Sequence, residues 1–411
     1  MALLTQRLNR HTHSGQMLLD ALPRLTRDVP YYRMHRTAYQ DPMNLPVMTR
    51  AGLARVPFQL LVPDTIDAAA ELTRGTAAIM STSGSTSEPL RTLLDTEATV
   101  SSEYWSLWGI PGTPRFACLT SPACMGEKCG LSNADRTTRQ PNPDFLFFPS
   151  TRALFSEPDD FFRTIALEWA DFQPEVLVAN PVYLHWALRR FRALELDYPK
   201  PKVLLCSYQY LSHCQRRALS QVAPIASDYG ATELAGTGVA MGCPQGHLHV
   251  LTSRVHLEQR PFAGLEHAGE LLISTPGSRT SPLIRYSPGD LGRLLPPTQS
   301  PCAMNALPTL ELWGRIADCL HAPNRLWTTR EVDDALEPLH WLELYTVRQR
   351  DDGALDLSLV ADPAPTDAVP QVTSLFEQLG FRVARARLVE RLTLSAALKL
   401  QLTDPDGVDE P

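Results

Sequence analysis

The sequence has no apolar run long enough to cross a bilayer, and its opening residues, MALLTQRLNRHTHSGQ, lack the long apolar core of a secretory leader. The cytoplasm is therefore the expected compartment. A surplus of positive charge is also missing: 38 Lys and Arg stand against 45 Asp and Glu, for a net charge of −7. Non-specific nucleic-acid binders draw their affinity from the opposite imbalance, so neither nucleic acid nor membrane is expected as a partner. Eight cysteines in 411 residues are too sparse for a disulfide scaffold and read as reduced thiols, buried or metal-bound. No internal repeat is visible. Thirty-five prolines and 22 glycines interrupt the chain too often for long helices, and an α/β or α+β architecture fits this punctuation.

What is present is alternation. A helix is expected over 156–171, a strand over 176–178, a helix from Pro181 to about Leu196, a strand over 202–206, a helix over 212–222 and a strand over 224–227. Continuous apolar strands between amphipathic helices describe a mostly parallel sheet covered on both faces. From Leu248 the pattern changes to short strands separated by turn residues, a β-rich subdomain. Beyond Gly314 it changes again, to helices over 329–336 and 372–379 and strands over 344–348 and 355–360. The fold class is α/β, divided into a large N-terminal domain, 1–315, and a small, mobile α+β domain, 316–411. The segment 95–107 reads as a helix.

One stretch carries the chemistry. Residues 79–90, IMSTSGSTSEPL, hold four serines, two threonines and one glycine after a strand-like lead-in. Small hydroxyl side chains and a flexible glycine let backbone N–H groups and hydroxyls converge on a polyphosphate. A solvated Ser/Thr linker has the same composition, so the stretch is ambiguous by itself.

Three segments downstream resolve it: SDYGATELAG (227–236), LIRYSPGDLGRL (283–294) and LELWGRIADCL (310–320). With IMSTSGSTSEP before them, in this order, they resemble the adenylate-forming superfamily of acyl-CoA and aryl-CoA ligases, in its phenylacetate-CoA ligase-like branch. The resemblance implies ATP and Mg²⁺ as cofactors. It places Ser81, Thr82, Ser83, Gly84, Ser85 and Thr86 on the phosphates, Tyr229 and Gly230 against the adenine, and Thr232 on phosphate. Glu233 would hold magnesium, a hard ion that takes oxygen ligands. Asp290 would accept hydrogen bonds from the ribose, and Arg315 would face the nucleotide. The segment LTLSAALKLQL (392–402) puts Lys399 on the family's catalytic lysine, a cation needed where charge builds on the α-phosphate.

The departures are as specific as the matches. Ser87 and Glu88 stand where the family loop has glycine and lysine, and a carboxylate beside a triphosphate needs a cation, for which Arg91 is at hand. Ala317 replaces the usual acidic hinge residue, with Asp318 following it. On the substrate side the resemblance assigns Tyr183, Trp186, Ser207, Tyr208 and Gln209, and bulky Tyr208 in place of glycine suits a flat aromatic acid. Tyr183 and Trp186 at helical spacing read equally as core, and Arg189, Arg190 and Arg192 as a solvated face. Cys243, His247 and His249 form a Cys-x3-His-x-His cluster; the family's branch implies that these residues and Cys302 hold a structural Zn²⁺.

The expected activity is ATP-dependent adenylation of a carboxylic acid, an aryl acid by preference, followed by transfer to coenzyme A or the thiol of an acyl carrier protein. A homodimer is compatible with this. Two alternatives stay open: a nucleotide-binding homologue with impaired catalysis, and an adenylating enzyme that passes its acyl group to an amine.

Overall fold

The computed structural model describes residues 13–42, 44–81, 90–96, 102–122, 134–234, 236–297, 301–323 and 325–405. The chain folds as two compact units, one made of Met1–Tyr104 and Ser227–Glu311, the other of Trp105–Ala226 and Leu312–Pro411. No helix among the described residues is long and apolar enough to cross a membrane.

The first unit is built on antiparallel strands. Gly269–Ser274 pairs with His256–Pro261 along its whole length, and Ala240–Gly242 pairs with both Leu248–Val250 and the end of Ile225–Tyr229. Glycine at 269 is what lets that first pair close, since a Cβ there would meet the Arg260 carbonyl oxygen at 2.2 Å. Met48–Thr49 runs parallel to Tyr286–Ser287. An N-terminal helix, His13–Asp28, buries Leu18, Leu22 and Leu25 with Tyr32 and Ile284, the i, i+4, i+7 stripe of an amphipathic helix. The serine-rich stretch leaves Ala77–Ser81, which pairs antiparallel with Arg91–Asp95 in a separate hairpin, Ser81 opposite Arg91. Of the helix expected over 95–107, the described residues show Asp95 at the end of the strand Arg91–Asp95 and a short helix at Ser102–Ser106.

The second unit contains the parallel sheet foreseen from the alternation. Its strands lie in the order Phe145–Phe147, Phe116–Leu119, Val176–Ala179, Val203–Cys206, all parallel. Helices Asp159–Phe172, Pro181–Ala193 and His213–Leu219 pack on it. The second of these starts where the sequence demands: Asn180 caps it by accepting the Val182 N–H at 3.1 Å, and Pro181 fills the first turn, where its missing N–H costs nothing. The rest of the unit is a four-stranded sheet, Val383–Leu388, Leu355–Ala361, Leu342–Gln349 and Thr403–Asp404, with helices Thr329–Leu336 and Ala368–Gln378.

This C-terminal part shares one apolar core with the parallel sheet; Leu184, Leu188, Leu219, Val332, Leu336 and Leu344 belong to the same buried cluster. Arg217 donates to the Leu342 carbonyl at 3.1 Å, and Asp333 accepts the His213 N–H at 2.9 Å and the Tyr345 hydroxyl at 2.8 Å. Burial holds the Asp333 carboxyl above its ordinary range. The described cysteines are all reduced and buried, as expected, and burial pushes the Cys206 and Cys214 thiols up to about 12.

Candidate functional site

In the first unit, residues far apart in sequence meet around Glu233. Thr49 accepts the Gly52 N–H at 3.1 Å and caps the helix Arg50–Ala54, which makes Arg50 its first residue. The parallel register of Met48 with Tyr286 sets that helix start beside Tyr286. Glu233, on the 3-10 turn Thr232–Leu234 and 6% exposed, receives both groups: Arg50 Nη1 lies 3.1 Å from its Oε1, and the Tyr286 hydroxyl donates to the same oxygen. The two partners satisfy this buried oxygen, and Arg50 supplies a charge of opposite sign beside it. Burial first, and Glu233 second, hold the Tyr286 phenol well above its ordinary value, so it remains a donor. Both bonds fall on Oε1, and Oε2 takes neither of them.

The same unit joins two of the sequence motifs directly. Tyr229 closes its strand and donates from its hydroxyl to Asp290 Oδ2 at 2.9 Å. Asp290 reaches that position through Gly289, whose φ of +85° lies in the left-handed region that a side chain disfavours. The Gly289 N–H is held by Ser287 Oγ at 3.3 Å, and Ser287 donates to Glu270. Ser287 thus has a job in shaping the turn. Gly230 is exposed and Thr232 half-buried. Ser81 ends its strand opposite Arg91, while Thr82, Ser83, Gly84, Ser85 and Thr86 lie outside the described residues, as do Ser87 and Glu88.

A second cluster in this unit gathers the cysteine and histidines. Strands Ala240–Gly242 and Leu248–Val250 form a hairpin with Gly242 opposite Leu248, so Cys243 and His247 frame its turn and His249 follows two residues on, on the same face as His247. Gly246, at φ +83°, makes the turn tight, and the Cys243 N–H bonds to the His247 carbonyl at 2.9 Å. Ligand atoms of Cys243, His247 and His249 all lie within 4.8 Å of one another. Cys302 adds a fourth: its Sγ is 3.4 Å from His249 Nε2 and accepts the Met304 N–H at 3.3 Å. Zinc bonds of about 2.0–2.3 Å place tetrahedral ligand atoms about 3.3–3.8 Å apart, so two thiols and two imidazoles at these separations fit Zn²⁺ after a small contraction.

In the second unit the substrate-side residues divide. Tyr208 has φ +78°, a left-handed conformation that an L side chain adopts at a cost, and its hydroxyl lies 3.7 Å from Cys118 Sγ at the end of the neighbouring strand but one. Ser207 is tied to Ala179 by its N–H at 3.1 Å, and Gln209 Oε1 accepts the Leu400 N–H at 3.3 Å. The turn 207–209 and the loop carrying half-buried Lys399 are therefore in contact. Tyr183 and Trp186 are core side chains: Tyr183 is 1% exposed and donates to the Thr151 carbonyl at 2.7 Å, and Trp186 packs edge-on against Phe155 at 4.8 Å. Of the solvated face expected of Arg189, Arg190 and Arg192, only Arg192 is exposed; Arg189 and Arg190 are half-buried, Arg189 paired with Glu343 of the C-terminal sheet and Arg190 with Asp159 at the start of the helix Asp159–Phe172. Arg315 is exposed at the end of Thr309–Arg315, next to Gly314, where a Cβ would meet Thr329 Oγ1 at 2.5 Å.

Sequence reasoning missed Arg50. Nothing local marks it, since only the pairing of strands more than two hundred residues apart brings it to Glu233. Tyr286 stood inside a quoted motif and was open to notice.

Among known proteins, no family model matches the chain. The phenylacetate-coenzyme A ligase of Aromatoleum evansii is 30% identical over 141 residues, which is 31% of this chain and 32% of that protein. The match thus spans about a third of the relative's length. Of solved structures, 2-hydroxyisobutyryl-CoA ligase in the postadenylation state, in complex with R3-HIB-AMP, superposes with a TM-score of 0.69 at 15% identity, covering 95% of this chain and 88% of that one. The anthranilate CoA ligase AuaEII in complex with anthranoyl-AMP gives 0.53 at 14% identity, over 79% and 65% of the two chains. The amide bond synthetase McbA from Marinactinospora thermotolerans gives 0.50 at 16%, over 79% and 67%. The fold is that of the adenylate-forming ligases.

Proposed function

We propose that this protein activates a carboxylic acid with MgATP. The carboxylate attacks the α-phosphate, acyl-AMP and pyrophosphate are formed, and the thiol of coenzyme A or of a carrier protein takes the acyl group as AMP leaves. The observation that carries this reading is the 2.9 Å bond between Tyr229 and Asp290, which joins the adenine-side and ribose-side motifs in one unit. The partial sequence match to a phenylacetate-coenzyme A ligase supports the thiol acceptor, and the shared fold supports the acyl-adenylate intermediate.

In this mechanism Asp290 accepts from the ribose hydroxyls while Tyr229, oriented by its bond to Asp290, flanks the base. Glu233 is the residue to hold Mg²⁺: a hard carboxylate oxygen, Oε2, is left by partners that converge on Oε1. Magnesium when bound would neutralise phosphate charge. Lys399 stabilises the charge that develops on the α-phosphate, and the loop that carries it comes in for adenylation and withdraws for thioester formation. Tyr208 narrows the acid's pocket and favours a flat aromatic substrate. Cys243, His247, His249 and Cys302 hold a structural zinc that supplies folding energy rather than chemistry. The protein works in the cytoplasm, and a homodimer is compatible with these steps.

Pyrophosphate release measured over a panel of aromatic, amino and aliphatic acids, with and without coenzyme A, tests the reading. An acid-dependent signal that coenzyme A stimulates, with a thioester product, is the expected result. Glu233→Gln and Lys399→Ala should each depress acyl-AMP formation at least 100-fold, on the order expected when an electrostatic group in the transition state is lost. Measurable ATP binding with silence across the whole panel would refute the activity.

A further inference from the structure

The loop that carries Lys399 is closed by hydrogen bonds of its own. Ser395 closes a tight turn, its N–H on the Lys399 carbonyl at 2.9 Å and its carbonyl on the Leu398 N–H at 2.8 Å. The Lys399 N–H meets Ser395 Oγ at 3.3 Å, and Leu398 adopts φ +57°. Leu398, Leu400 and Leu402 are buried while Lys399 and Gln401 between them are only half-buried, so the backbone alternates and faces Lys399 away from the apolar anchor.

Two polar side chains then fix this loop from either side. Gln209 Oε1 accepts the Leu400 N–H at 3.3 Å, and Gln401 Nε2 donates to Asp318 Oδ1 at 3.1 Å. Gln209 sits in the turn that follows the strand Val203–Cys206, directly after strained Tyr208, and Asp318 ends the short helix Ile316–Asp318. The Gln209 amide nitrogen is buried with no hydrogen-bond partner among the described residues, and its oxygen takes the Leu400 N–H. A buried amide that tolerates one unmet donor is held in place by the contact it does make.

We propose that Gln209 and Asp318 are positioning residues for Lys399: together they clamp residues 395–401 in the arrangement that serves adenylation, and thioester formation requires the clamp to open. The inference rests on the adenylating role of Lys399 given above. It adds that the acid-side turn and the start of the C-terminal segment both report on the lysine, so a substrate that displaces residues 207–209 also displaces the catalytic cation.

The test separates the two half-reactions, with benzoate as the probe acid in single-turnover adenylation and synthetic benzoyl adenylate plus coenzyme A for the second step. Gln209→Leu, which keeps the shape and removes the acceptor, lowers adenylation about 5- to 10-fold, the rate equivalent of one lost hydrogen bond. Gln209→Glu retains the acceptor oxygen and restores adenylation to within about twofold of wild type. Asp318→Ala, at a half-buried position apart from the acid-side turn, lowers adenylation to a similar extent, leaves the second step at or above the wild-type rate, and carries the test if Gln209→Leu folds poorly. Equal losses in both steps, or wild-type adenylation by Gln209→Leu and Asp318→Ala while Lys399→Ala is inactive, overturns the clamp. Wild-type adenylation by Lys399→Ala overturns the underlying role of the lysine instead.

Discussion

His185 lies in the middle of the helix Pro181–Ala193, is 4% exposed, and has a buried Nδ1 with no hydrogen-bond partner among the described residues. Burial, reinforced by Arg189, Arg192 and Arg217, lowers its imidazole from the ordinary 6.5 to about 3. In the unfolded chain the ring takes a proton near pH 6.5, whereas in the folded chain it stays neutral until about pH 3. The unfolded state therefore binds more protons between these values, and stability falls as the pH drops through that window. At about 1.4 kcal/mol per unit, the loss between pH 7 and pH 5 is about 2 kcal/mol, and it reaches about 4 kcal/mol by pH 3. Replacing the ring by an apolar side chain, His185→Leu, removes this term. The packing cost of the substitution is the same at every pH and cancels in a difference of differences. Urea unfolding of both proteins at pH 7 and pH 5, followed by tryptophan fluorescence, should show the wild type losing about 2 kcal/mol more than the variant over that interval. Identical pH dependence of the two proteins, within about 0.5 kcal/mol, would refute the claim that His185 is held neutral by burial.

Elemental analysis of protein purified without chelator should give one zinc per chain, and Cys243→Ser with Cys302→Ser should lower that stoichiometry and the melting temperature together; less than about a tenth of a zinc per chain in the wild type removes the site. Tyr208→Gly relieves a left-handed φ worth about 1 kcal/mol and opens the space beside Cys118, so it should admit bulkier acids in the pyrophosphate assay while leaving stability within about 1 kcal/mol of wild type. An unchanged acid preference in that variant would separate Tyr208 from the acid's pocket.

Much of the architecture was legible because its signals are local. Apolar strands at 176–179 and 203–206, an asparagine cap and a first-turn proline at 180–181, and a capping box at Thr328 and Glu331 each specify their own element. The hairpin strand Arg91–Asp95 was not legible, because its hydrophobic face is set by the partner strand Ala77–Ser81 rather than by a repeat within it. Arg189 misled for a similar reason. A charged helix position looks solvated until the chain returns, some 150 residues later, with Glu343 to meet it. Tyr183 and Trp186, which read as substrate groups or as core, are both buried in the core, their helical spacing having stated the inward face.

The sequence by itself determined the chemistry on offer: which residues could cradle phosphate, accept from a ribose, hold a hard or a borderline metal, or supply a cation. Residue type and order suffice for that, since reactivity belongs to functional groups. Tertiary structure alone decided their partners. It placed Arg50 and Tyr286 on one oxygen of Glu233, Asp290 under Tyr229, Cys302 beside His249, and Gln209 against the backbone next to Lys399. Each of these contacts spans more than fifty residues. Such pairings are fixed by strand register and by the burial of a shared core, neither of which leaves a mark on the residues they bring together.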